Sequence, residues 1–193
     1  MSAPGHFFEP RRELGRTGFR ATRIGLGDLA DRNVPLDECV ATLRRGLDAG
    51  VNVVDTAPSY ENGYSEEIVG AAVQGRSREQ LFVIDKIDHH DQNVAAQVEA
   101  SLARLRLDYV DLFVFHGVAS LEAWNKLQGA GRLEELRECL RQGKARFAGI
   151  SCHHPEVLRQ AIPSGSCDVV MFPVGPFVDH RYVAESLPLA RQH

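Results

Sequence analysis

Short apolar runs alternate with longer stretches of helical period along the chain. "TRIGLG" (22–27) reads as a strand, and "PLDECVATLRRGLDAG" (35–50) as a helix with Leu36, Val40, Leu43 and Leu47 on one face, Asn33 as its N-cap and Gly50 as its stop. "VNVVDT" (51–56) is a strand, and "SEEIVGAAVQG" (65–75) a helix that Ser65 is placed to cap. The alternation continues with strand 81–86, helix 93–107, strand 109–115, helix 133–143, strand 145–151, a helix from about 154 to 162, and strand 167–172. A last helical stretch, 181–192, carries Pro188, which predicts a kink or a division there.

Six strand-then-helix units predict a parallel sheet with helical crossovers. The strands are nearly continuous apolar runs, as expected where both sheet faces are covered. Two architectures compete, the doubly wound open sheet and the (β/α)₈ barrel. An open sheet binding a nucleotide announces itself by a glycine-rich turn after its first strand. Here that turn, "GLGDLAD" (25–31), has GxG without a third glycine at the right spacing. The polar positions favour the barrel: Asp55, Lys86, His116 and Ser151 stand at or just past the C-terminal ends of different strands, where barrel enzymes gather their chemistry. "RRELGRTGFRA" (11–21), with Gly15 and Gly18, reads as a hairpin ahead of the first strand, suited to plugging the bottom of a barrel. No linker-like or low-complexity segment divides the chain, so a single domain over 1–193 is expected.

Composition narrows the function classes. The chain has 193 residues, enough for a sizeable core, with 44% apolar and 25% charged residues. Twenty-six acidic against 22 basic side chains give a net charge of −4 and no electrostatic reason to expect nucleic acid or an anionic membrane as partner. No apolar run approaches the ~18 residues of a membrane span, and the opening "MSAPGHFFEPRREL" lacks the apolar stretch of a secretory signal. The four cysteines, Cys39, Cys139, Cys152 and Cys167, are scattered without a CxxC, which fits a reducing cytoplasm better than a disulfide framework or a zinc site. His89, His90, His116, His153 and His154 fall near strand ends, but adjacent residues such as His153 and His154 normally point apart, and no metal site is expected.

The chemistry lies in four residues. A tyrosine's ordinary pKa of ~10 is too high for efficient proton transfer at neutral pH. A neighbouring ammonium stabilises the phenolate, and a carboxylate holds the ammonium. Lys86 and Asp55 suit those tasks for Tyr60 if their strands are neighbours, and His116 suits a hydrogen bond to a substrate carbonyl oxygen or a proton relay. The set fits protonation of a carbonyl oxygen while hydride reaches its carbon, and side chains supply no hydride, so a nicotinamide is required. Singly, each residue has a bland reading: Asp55 as a turn former, Tyr60 as a surface aromatic, Lys86 as a charge snorkelling from a strand end, His116 as a turn residue.

These residues also carry a resemblance. "LGRTGFRATRIGLG" (14–27), "GVNVVDTAPSYENGYSEEIVGAAV" (50–73), "VIDK" (83–86), "VDLFVFHG" (110–117) and "GKARFAGIS" (143–151) resemble, in order and spacing, the motifs of the aldo-keto reductases. The resemblance implies a (β/α)₈ barrel that reduces aldehydes and ketones with NADPH. It implies Tyr60 as general acid/base, with Asp55, Lys86 and His116 completing a tetrad. It places Gly27, Asp55, Ser151, Cys152 and Met171 around the cofactor. "HGVASLEAW" (116–124) and "GISCHHPEVL" (150–158) resemble a bacterial branch whose members often carry a C-terminal iron–sulfur segment; without clustered cysteines, no such cluster is expected here.

Two departures from the family pattern stand out. Relatives usually follow the serine at position 151 with asparagine and carry a glutamine in the next strand, groups that hold the nicotinamide carboxamide. Here Cys152 and Met171 occupy those places, and neither replaces an amide as a hydrogen-bonding partner. The chain also stops after six βα units, where a complete barrel takes ~250 residues. Strands seven and eight, with the basic loop that grips the cofactor phosphates in relatives, are absent. Three explanations follow: a fragment of a longer enzyme, a wall completed by a second copy in a homo-oligomer, or a shortened paralogue that has lost catalysis and serves in binding or regulation.

Overall fold

The computed structural model describes residues 10–193. The first part of the segment assessed for a secretory signal, residues 1–9, lies outside the described residues. These residues form two compact units, one running to Asp85 with Glu99–Asp111 added, the other comprising Lys86–Val98 and Leu112–His193. The boundary crosses the chain inside two strands and one helix, so it follows no linker.

In the first unit, a two-stranded antiparallel hairpin, β1 (Arg12–Glu13) and β2 (Arg20–Ala21), opens the chain. The Asn52 side chain accepts from Thr22 N at 2.8 Å and donates to Arg20 O at 2.9 Å, tying the hairpin's exit to the start of the first sheet strand. Helix α1 (Leu36–Asp48) buries Cys39, Val40, Leu43 and Leu47. Leu36, expected on that face, is exposed at the helix start. Asn33 does not cap α1: its backbone and side-chain nitrogens both donate to Asp31 Oδ1, and Pro35 holds the cap position, where its fixed φ suits helix entry. Gly50, at φ 100°, ends the helix as expected. Strand β3 (Val53–Asp55), helix α2 (Tyr64–Val73), strand β4 (Phe82–Ile87), helix α3 (Val94–Leu105) and strand β5 (Val110–Phe115) follow.

The strand expected over 22–27 is reduced to a single parallel bridge between Leu26 and Val54. Leu26 N donates to Val53 O at 2.9 Å and Asp55 N to Leu26 O at 2.8 Å. Gly25 and Gly27 flank this residue, and glycine weakens strand formation by its conformational entropy. β3 and β4 pair in parallel, Val54 opposite Val83. Asp111 is fully buried within the apolar run of β5; it accepts from Val83 N at 2.9 Å and pairs with Arg78 at 2.8 Å, so its charge is compensated.

In the second unit come α4 (Leu121–Gly129), α5 (Arg132–Arg141), β6 (Ala145–Ser151), α6 (Pro155–Ala161) and β7 (Val169–Met171). α4 is absent from the sequence reading because only Trp124 and Leu127 mark its inner face; Ser120 caps it, accepting from Ala123 N at 3.1 Å. β6 and β7 pair in parallel, Gly149 opposite Val169. At Gly149 a Cβ would lie 1.9 Å from Val169 O, so the strands meet at a separation only glycine permits. Pro188 acts as expected: a π-helix, Tyr182–Ser186, ends just before it, and α7 (Leu187–Gln192) starts afresh with the proline in its first turn. The five parallel strands run in the order β3-β4-β5-β6-β7, the neighbour-by-neighbour order of a (β/α)₈ sheet. No described helix is long and apolar enough to cross a membrane.

Candidate active site at the C-terminal strand ends

The first unit holds Gly27, Asp55 and Tyr60. Asp55 is the last residue of β3, and the bridge at Leu26 brings Gly27 to the same strand end. A Cβ on Gly27 would meet nothing within 4 Å, so the backbone there is open to an approaching ligand. Tyr60 sits half-buried in the loop after β3. Its amide donates to Ala57 O at 3.2 Å, and Glu61, Asn62 and Gly63 then take three consecutive left-handed conformations (φ 49°, 51° and 84°). Such backbone persists only where neighbours fix it. Arg32 supplies that hold: Nε donates to Glu61 O at 2.9 Å and Nη2 to Asn62 O at 3.1 Å, while its guanidinium lies over the Tyr64 ring. Ser65 does not cap α2; Gly63 holds the cap position, and the buried Ser65 hydroxyl pairs with that of Thr56 at 2.8 Å, closing the base of the loop that carries Tyr60.

The second unit holds Lys86, His116, Ser151, Cys152 and Met171. Lys86 is only 3% exposed. Main-chain bonds then join successive strand ends. His116 N donates to Ile87 O at 3.0 Å, Val118 N to Ser151 O at 2.9 Å, and Cys152 N to Met171 O at 2.9 Å. The Ser151 hydroxyl accepts from Gly117 N at 2.8 Å, which leaves its own proton free to be donated. Cys152 is fully buried. Its thiol lies 3.2 Å from Val118 O and accepts from His154 N at 3.2 Å, and burial pushes it above the usual thiol range. It is therefore a cross-tie between two loops.

One site residue escaped the sequence reading. Asp88 pairs through Oδ1 with His116 Nδ1. The signal was strand alternation: two residues after Lys86, position 88 continues the same face just past the end of β4. His90 lies beside this pair with its ring nearly perpendicular to that of Phe115. Burial is the main cause that pushes His90 below its ordinary value of 6.5. The unfolded chain therefore takes up that proton first on acidification, and stability falls as pH drops through 6.5 until the folded-state value is passed. Urea midpoints measured between about pH 7.5 and 5.5 are expected to fall less steeply for His90→Gln than for the parent; equal slopes contradict this account. Among the described residues, no group of three or more His, Cys, Asp or Glu side chains is placed to hold a metal ion.

Parallel strands in sequential order define a barrel-type scaffold. Residues 23–190 match the Aldo/keto reductase family, and the chain belongs to that family. The oxidoreductase YqkF of Bacillus subtilis is 26% identical over 195 residues, which cover 95% of this chain and 61% of YqkF. The NADH-specific methylglyoxal reductase of Escherichia coli is 28% identical over 208 residues, covering 93% of this chain and 63% of that enzyme. A crystal structure of an aldo/keto reductase from Klebsiella pneumoniae in complex with NADP and acetate superposes with a TM-score of 0.73 at 26% identity, covering 91% of this chain and 62% of the other. The chain thus spans somewhat over three fifths of the length of these relatives.

Proposed function

We propose that the chain carries the residues for NADPH-dependent reduction of an aldehyde or ketone to an alcohol. The observation that carries the reading is the placement of Asp55, Lys86, His116 and Ser151 at the C-terminal ends of β3, β4, β5 and β6 in turn. In this reading Tyr60 delivers the proton to the carbonyl oxygen. Lys86, which is buried, has the role of favouring the phenolate that Tyr60 leaves behind, and Asp55 that of balancing its charge. His116 hydrogen-bonds the carbonyl oxygen and orients it. A bound reduced nicotinamide supplies the hydride.

The residues present fit such a cofactor in part. Ser151 has a hydroxyl proton to give to a carboxamide oxygen, and the open backbone at Gly27 admits close approach. Cys152, with its thiol engaged by main chain, and Met171 offer no second polar group, so the ring would be held chiefly by Ser151. That shortfall favours a second reading, a reductase-like binding or regulatory module without turnover.

Fluorescence titration with NADPH, and in parallel with NADH, separates the two. The reductase reading expects saturable binding and consumption of the reduced nicotinamide with a small dicarbonyl such as methylglyoxal. A flat titration with both nucleotides defeats it.

A further inference from the structure

We propose that Asp88 is a positioning residue for His116: its carboxylate holds the Nδ1–H of the imidazole and so dictates that Nε2 is the ring nitrogen offered to a substrate oxygen. The inference rests on the reading of His116 given above. Three observations meet here. The His116 amide donates to Ile87 O at 3.0 Å, which fixes residue 116 next to the end of β4, where Asp88 begins the following loop. Asp88 Oδ1 pairs with His116 Nδ1, and the carboxylate is the more enclosed partner, 13% exposed against 28% for the ring. Gly117 and Val118 are both anchored to Ser151, so the chain leaving His116 is also fixed.

A carboxylate only accepts hydrogen bonds, so the nitrogen it holds must carry the proton. The state of Nε2 then follows. In the neutral ring it is a lone pair, suited to an alcohol hydroxyl; in the imidazolium it is an N–H donor, suited to a carbonyl oxygen. With Asp88 in place, the donor form is a cation whose charge the carboxylate balances, and a charge-assisted bond polarises a carbonyl more strongly than a neutral one. His90, pushed down by burial, is neutral near pH 7 and hydrogen-bonds the main chain of residue 116. It places no competing charge beside that cation.

Two variants and two measurements test the role. In ¹H–¹⁵N spectra of the imidazole, the parent chain is expected to carry the His116 proton on Nδ1, whereas Asp88→Ala is expected to move it to Nε2 in the neutral ring. An unchanged Nδ1–H in Asp88→Ala overturns the proposal. Asp88→Asn preserves shape and an accepting oxygen but removes the charge. Its kcat for carbonyl reduction is expected to fall about tenfold, with the NADPH dissociation constant within about twofold of the parent. Unchanged kcat overturns the proposal equally. If the parent chain lacks turnover, that counts against the reading of the site as a reductase, and the spectra still decide the role of Asp88.

Discussion

Replacing Tyr60 by phenylalanine is expected to lower the rate of carbonyl reduction by about 10²–10⁴-fold, the usual worth of a positioned proton donor, while the affinity for NADPH stays within about twofold. The substitution removes one oxygen and little volume. Tyr60 is half-buried in a loop whose conformation is set elsewhere: by Arg32 on the carbonyls of Glu61 and Asn62, and by the Thr56–Ser65 hydroxyl pair at its base. These supports are expected to keep the loop folded in the variant. A matched pair of measurements, steady-state reduction and NADPH titration on parent and variant, separates the roles. Loss of both rate and binding would point to loop collapse, and retained rate would remove Tyr60 from the chemistry.

The largest expected effect on stability is at Gly149. The β6–β7 register sets Gly149 opposite Val169, and a Cβ there would stand 1.9 Å from Val169 O. The obstacle is main chain and cannot swing aside as a flexible side chain can. Gly149→Ala should therefore part the two strands and cost ~3 kcal/mol, a large share of the 5–15 kcal/mol typical of a domain. The same strands carry Ser151 and Met171, so nucleotide affinity should fall with stability. Gly27→Ala is the control: with nothing within 4 Å of its Cβ, its urea midpoint should match the parent's. Trp124, buried in the same unit as β6, provides the fluorescence signal. Equal midpoints for both variants would mean that the close approach at Gly149 is not maintained in solution.

Much of the scaffold was legible in the sequence because burial on both faces writes itself as continuous apolar runs. β4 and β5 were delimited to within a residue, and Gly50 and Pro188 punctuated the chain as their backbone chemistry requires. What was not legible depends on contacts distant in sequence. Asn33 and Ser65 have the right composition for caps, but nearer or better partners, Asp31 and Thr56, took their hydrogen bonds. The run at 22–27 has strand-like residues, yet its glycines leave one bridge. α4 is amphipathic by only two residues, too few to register as a period. The site showed the same division. Residue types at strand ends announced Asp55, Lys86, His116 and Ser151. Strand alternation from Lys86 marks position 88, but its pairing with His116 follows only from the ladder that lays residue 116 beside the end of β4.

The cysteines have an experimental use of their own. Cys39 is buried in the first of the two units, and Cys139 and Cys152 in the second. A thiol enclosed in this way meets an alkylating reagent only when its surroundings transiently open. Mass-resolved labelling of the unmodified chain would thus time the breathing of each half separately. Repeating it with nucleotide present would reveal which half a ligand quiets, without introducing any foreign reporter.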